Sequence, residues 1–337
     1  MSFKRLDSED FLVSADSVTA ALFSGNIATL TTFFSSSIQE AGASGDYYLS
    51  VYQTGSDQPT AESQFDIAFG NKNGSGSLYF NSSVPGLSPS RAIYGQYRTL
   101  VYGNELAEFV FGNATGSSFY AISLDRSRYK EKLLVGSFNL KLSGSAGATI
   151  LLTDNSGDTS SVTFTDSGRV FQIVSGSDGK AYTGTGFTAA SGSYGLFLPD
   201  IGTVLLNAQA LDLSAANGGI AISTGLSANT DDNNNRKLFN VIARGKSFGL
   251  NSEETLTSDY VFIRSRNQEF NYSENPSFVS GSTGEVLYGD FIYNPQTYIT
   301  TVGLYNDTND LLAVAKLSRP LQKNFTKEFL VRVKLDF

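Results

Sequence analysis

Apolar and polar positions alternate with a period of two along much of the chain. Phe65, Ile67 and Phe69 are interleaved with Asp66 and Ala68, the signature of a strand with one buried face. The same alternation, or a short apolar run, predicts strands at 27–34, 46–53, 64–69, 77–80, 118–124 and 136–142. GNKNGSGS, lying between 64–69 and 77–80, reads as a hairpin turn. Further strands are expected at 148–154, 160–166, 169–175 and 194–200, the first three as a meander. The C-terminal part repeats the pattern at 258–265, 286–293, 297–305, 310–317 and 328–337.

Helical spacing is confined to short stretches. Ser88 can cap and Pro89 suits a first helical position, and Ile93, Tyr97, Leu100 and Val101 then share a face, which predicts a helix over 89–102. Leu238, Val241 and Ile242 predict another over 235–245, stopped by Gly245. The stretch 203–219 leans to a short helix on Val204, Leu205, Ala208, Leu211 and Asp212. No repeat of 20–50 residues and no sustained heptad is present. The expected fold class is mainly β: a multi-domain, β-sandwich-like chain with one or two short helices.

Composition changes this picture in two ways. Of 337 residues 33 are Gly, and charged residues make up only 17 %, as expected for many short strands and turns. Charge is also uneven. Residues 143–235 carry Arg169 and Lys180 against eight aspartates, which accounts for six of the net eight negative charges. That stretch reads as a Gly/Ser-rich acidic domain, a candidate insertion, between a β-rich domain at 21–142 and another at 236–337. Residues 1–20 read as an arm.

The chain has no His, Cys or Trp. That excludes a His base, a Cys nucleophile, disulfides and His- or Cys-ligated zinc. No Walker loop, dinucleotide fingerprint or nucleophile elbow occurs. Glu253 with Glu254, and Glu105 with Glu108, are carboxylate pairs of the kind any acidic chain offers. DNSGD (154–158) and TDDNNN (230–235) cluster oxygen ligands but lack the EF-hand pattern, and turn chemistry explains them equally well. Arg126, Arg128, Lys130 and Lys132 would line one face if extended; Asp125 and Glu131 counter them. The expectation is no enzyme, no cofactor, no metal and no nucleic-acid partner, since a non-specific nucleic-acid coat needs a basic surface. Lys4 and Arg5 are followed by acids rather than an apolar run, so an export signal and a membrane partner are not expected. The ending FLVRVKLDF is the one feature shared with outer-membrane barrels.

The segment 302–337 resembles one found in structural proteins of contractile-tailed, T4-like bacteriophages, including those of cyanobacteria. The likeness rests on Val302-Gly303-Leu304-Tyr305, a polar turn at Asn306–Asn309, Leu311 to Ala315, then Pro320 and a last strand ending in Phe337. SFKRLDSEDF and FDIAFGNKNGSGS are similar to virion proteins of the same group. The resemblance implies a hairpin, a Pro-containing crossover and a return strand. It implies a non-enzymatic virion component, at the baseplate or tail-fibre attachment, that acts by self-assembly and docking. Its partners would be other virion subunits and copies of itself in a symmetric assembly, put together in the host cytoplasm. Capsid decoration, a head fibre or a neck position is the alternative. Residues 1–20 and 302–337 are the expected contact segments, with Arg5, Asp7, Phe11, Val302, Tyr305, Leu312, Pro320 and Phe337 as candidates.

Overall fold

The computed structural model describes residues 3–40, 46–79, 83, 87–159, 162–182, 192–273 and 275–336. The chain forms two units: a central unit, Val18–Glu254, and a terminal unit made of Met1–Ser17 with Thr255–Phe337.

Its elements, in order, are β1 (Phe11–Ala21), β2 (Thr29–Leu30), β3 (Phe34–Glu40), β4 (Asp46–Tyr52), β5 (Ser63–Asn71), α1 (Pro89–Tyr102), β6 (Phe109–Phe111), β7 (Ala114–Gly116), β8 (Ser118–Leu124), β9 (Lys132–Leu133), β10 (Asn139–Ser143), β11 (Thr149–Asp154), β12 (Thr163–Thr165), β13 (Gly168–Ser177) and β14 (Lys180–Ala181). They continue with β15 (Gly195–Leu198), β16 (Thr203–Asn207), α2 (Ala208–Asp212), α3 (Asn234–Gly245), β17 (Ser247–Gly249), β18 (Asn251–Ser265), α4 (Gly289–Tyr293), β19 (Thr297–Tyr305), β20 (Leu311–Lys323) and β21 (Phe329–Asp336). The fold is mainly β, as the alternation predicts. Among the described residues there are four α-helices: α2 is a five-residue turn within the stretch that leans to a helix, and α4 is a five-residue turn where the pattern predicts a strand.

One antiparallel sheet organises the central unit, in the order β2-β17-β10-β11-β13-β15-β16-β8-β5-β4-β3, with β12 and β14 also on β13. The sheet curls. Phe248 on β17 and Phe65 on β5 stack edge to face at 5.2 Å, although β10, β11, β13, β15, β16 and β8 lie between their strands in the ladder. Inside the curl sits α3, whose Leu238, Val241 and Ile242 join Leu49, Ile67, Leu140, Leu142 and Phe248 in the main core. Gly245, its last residue, is needed for close approach rather than as a stop: a Cβ there would lie 1.8 Å from the Lys141 carbonyl on β10. Lys246, at φ 56°, caps the helix instead. On the outer face α1 lays Ile93, Tyr94 and Val101 over Phe119, Ala121 and Leu205. Residues of β8 alternate between the two cores: Tyr120, Ile122 and Leu124 go inward, Phe119 and Ala121 outward. A strand covered on both faces reads as a continuous apolar run.

The helix over 89–102 is found with those bounds, ended by Gly103 at φ 60°. Other expectations are corrected. The apolar run TVLL is a strand, β16, paired with β8 and β15, and only the residues after it turn helical. The turn 70–77 does not join a hairpin, because β5 pairs with β4 and β8; of 77–80, residues 77–79 are not a strand and Phe80 lies outside the described residues. No meander forms, since β11 and β12 both pair with β13. Residues 27–34 split between β2 and the start of β3, and 286–293 contains α4 in place of a strand. The acidic stretch 143–235 is no separate body either: β11, β13, β15 and β16 are consecutive members of the sheet that holds β8 and β5. Low charge there reflects strands buried on both faces.

Candidate assembly surface in the terminal unit

The terminal unit is assembled from both chain ends. In its main sheet β18 lies between β1 and β21, in antiparallel register with β21 from Ser258↔Asp336 to Ser265↔Phe329. Alternation sorts β18 and β21 into two faces. Val261, Ile263, Val331 and Leu335 look into a groove, while Tyr260, Phe262, Arg332 and Lys334 occupy the opposite face. Arg332 and Lys334 reach over the Tyr260 ring, at 5.4 and 5.9 Å from its centroid.

β19 and β20 form a two-stranded ribbon of their own. Its turn is built by Asn306, whose Oδ1 accepts from the Asp310 N–H (2.7 Å), the Thr308 N–H (3.1 Å) and the Thr308 hydroxyl (2.8 Å). Asn309 supplies the positive φ of 63°. Two register breaks interrupt the ribbon. Leu304 pairs with Ala313 and Tyr305 with Leu311, so Leu312 is the extra residue of a bulge. Ile299 pairs with Leu321 and Thr301 with Lys316, so 317–320 bulge opposite Thr300. Pro320 therefore stands in a bulge, where its missing N–H breaks no ladder bond, and not in a crossover. The return strand is displaced too: β21 pairs with β18 rather than with the ribbon.

The N-terminal residues are tied into the same unit. Phe3 packs edge to face on Tyr305 at 5.2 Å. Lys4 donates to Glu269 at 2.9 Å and to the Arg264 carbonyl. The Arg266 N–H and Lys4 together hold the Glu269 carboxyl below its usual pKa. Asp7 starts a short turn in which its N–H donates to Asp10 at 3.0 Å. Lys323 is buried; its ammonium donates to the Asn267 carbonyl (2.8 Å), Asn271 Oδ1 (2.8 Å) and the Asn324 carbonyl (2.9 Å). Burial lowers its pKa, against the pull of Glu269 and Glu328. A second set of rings, Phe278 with Tyr272, Tyr288 and Phe291, closes the loop after β18, and the strand-period pattern gives no hint of it.

The groove has a volume of about 2480 Å³. Small-molecule pockets run to roughly 1,000 Å³, and this groove is larger. Arg5, Phe11, Val302, Tyr305 and Leu312 all line it; Asp7 and Pro320 do not, and Phe337 lies outside the described residues. Among the described residues of this unit only Val261, Val279 and Val333 are buried apolar side chains. Phe11, Leu12, Val13, Leu311, Leu312 and Val314 are exposed, Val13 and Leu312 by 67 %.

The other candidate chemistry is occupied in local structure. Asp154 is buried and accepts the Gly136 and Ser156 N–H groups; Asp231 and Asp232 accept those of Asn233 and Ser227. The basic run is not extended. Arg126 folds onto the Lys130 carbonyl and over Tyr129, Arg128 meets Glu62 at 2.7 Å, and Lys130 meets Glu254 at 2.9 Å. Glu108 pairs with Lys72, beyond the end of α1. Among the described residues no group of three or more acidic side chains is placed to hold a metal ion, and no helix is long and apolar enough to cross a membrane.

The chain matches no protein-family model, no curated protein and no solved structure.

Proposed function

We propose that the chain is a non-enzymatic structural subunit of a tailed-phage virion, at the baseplate or tail-fibre attachment, in which the terminal unit docks neighbours. One observation carries the docking role: a unit with three buried apolar residues among those described leaves Phe11, Leu12, Val13, Leu311, Leu312 and Val314 exposed beside a large groove. Solvent-exposed apolar surface of this extent marks an interaction site. The central unit has its own core and serves as the body that carries this surface. The phage assignment rests on the resemblance of 302–337 and of the N-terminal segments.

Immunogold microscopy of purified particles with antibody against 143–235 tests it, with mass spectrometry of the same particles. Gold at the distal tail end is the expected result. Gold on the head or neck transfers the same architecture to decoration or connection. Absence from particles overturns the reading. Deleting residues 2–15 should abolish incorporation while the central unit still folds.

A further inference from the structure

Among the described residues the sheet of the terminal unit ends in two unpaired edge strands. β18 is hydrogen-bonded on both sides, whereas β1 and β21 stand at the ends of the order β1-β18-β21. An open edge is a template for another strand, and folded proteins blunt it with Pro, Lys, a bulge or a covering segment. β1 contains no Pro, Lys or Arg. It begins with Phe11, Leu12 and Val13, all more than half exposed.

The two edges differ in charge. Asp16 lies on β1, and Asp7, Glu9 and Asp10 lead into it. β21 carries Arg332, Lys334 and Asp336 on one face, net positive, with Lys334 meeting Asp336 at 2.8 Å. The hydrogen bond that Lys334 donates to Asp336 raises the Lys334 pKa, and Asp16 adds to that pull from β1. The groove face is shared as well: Phe11 on β1 and Val331 and Leu335 on β21 all line it.

We propose that copies of this chain associate head to tail by strand addition, the β1 edge of one copy pairing with the β21 edge of the next. This rests on the docking role given above to the terminal unit and names its occupant as a second copy. Charge selects the arrangement. A β1–β1 contact would bring the acidic edges together, and a β21–β21 contact would oppose Arg332 and Lys334 to their own copies. Like charges facing across a ladder are destabilising. Between copies, only the mixed contact sets Asp16 of one beside Arg332 and Lys334 of the next. It also continues the apolar groove face from copy to copy. A contact of this head-to-tail kind closes into a ring or runs on as a filament.

Sedimentation and light scattering of the purified full chain across concentration test this. The expected result is a species larger than a dimer. Asp16→Lys alone, or Arg332→Glu with Lys334→Glu, should weaken association about tenfold. Combining all three should restore it, with thermal unfolding of the central unit unchanged throughout. The absence of Cys allows a second readout. Within one chain β1 and β21 are separated by β18, two strand spacings or about 9.5 Å, which is beyond disulfide reach. Chains with Leu12→Cys, Ser14→Cys or Asp16→Cys, mixed with chains carrying Leu330→Cys, Arg332→Cys or Lys334→Cys, should cross-link between copies in at least one register. A monomer at every concentration, an assembly indifferent to both reversals, or cross-links joining like edges would overturn the inference. Those results leave the particle labelling untouched, and a protein missing from particles that still forms charge-dependent oligomers sinks only the virion reading.

Discussion

The two units use the same strand chemistry to opposite ends. In the central unit the sheet curls until its two ends share a core, and α1 and α3 cover what remains. In the terminal unit the sheet is short, its edge strands are unpaired among the described residues, and its apolar face borders a groove. The difference lies in the number of strands. A sheet long enough to curl buries its own apolar face, whereas a few strands and a lone ribbon are marginal in water without something to pack on. The first unit is stabilised from within, and the second leaves much of its apolar surface uncovered.

The largest test of this contrast is truncation at the point where the central sheet meets itself. Phe248 is fully buried and contacts the rings of Phe23 and Phe65 at 5.2 Å and Phe138 at 6.0 Å. Phe248→Ala should cost about 3–5 kcal/mol in chemical denaturation. A change below about 1 kcal/mol would mean that the curl is not held by this cluster.

A smaller effect is expected from Asp200, next to the sheet. Burial pushes its carboxyl up, but the bidentate Arg169 guanidinium, at 2.5 and 3.0 Å, and the Arg169 N–H at 2.8 Å outweigh it and hold the pKa below the usual carboxylate range. A depressed folded pKa means that the stabilisation is present above the unfolded value and is lost as pH falls through the folded one. Urea midpoints measured from about pH 6 to about pH 2 should fall for the wild type partly through this group. Asp200→Asn should lower stability at neutral pH by about 2 kcal/mol and flatten that acid limb. An unchanged limb would remove Asp200 from the account.

Local signals were legible and long-range pairing was not. Pro89 and Gly103 bound α1 through rules acting within one turn, whereas Ser88 makes no capping bond: its hydroxyl turns to the Gly74 carbonyl, and Ser77 Oγ accepts the Ser90 N–H instead. The run TVLL is ambiguous because three apolar residues after a Thr fit a buried strand or a helix equally. Its partners β8 and β15 decide the matter, and β8 lies some eighty residues earlier in the chain. The acidic stretch 143–235 looked separate because charge reports exposure and says nothing about which strands pair. Arg5, Phe11, Val302, Tyr305 and Leu312 lie far apart along the sequence, and the structure brings them to one groove. Periodicity alone gives no sign that the two chain ends meet there. The bulges at Leu312 and at 317–320 were equally invisible, because a register break is a property of two strands.

The smallest expected effect on stability sharpens the comparison most. Leu312 is the bulged residue of β20, two-thirds exposed and on the groove wall. A bulge re-aims one side chain out of the alternating pattern, and here it turns a leucine toward open space. In the purified chain Leu312→Ala removes no buried contact, so its unfolding free energy should change by less than about 0.5 kcal/mol. Incorporation into the assembly should nevertheless fall, because the leucine side chain is buried only once a partner fills the groove. Phe248→Ala has the reverse profile: a large loss of stability, with the terminal surface unaltered. If Leu312→Ala destabilised the purified chain by 2 kcal/mol or more, roughly the cost of truncating a core leucine, the groove would be part of the subunit's own core and the contrast between the two units would collapse. A measured difference near zero, with assembly weakened, is the result that separates a surface kept for docking from a core that is merely incomplete.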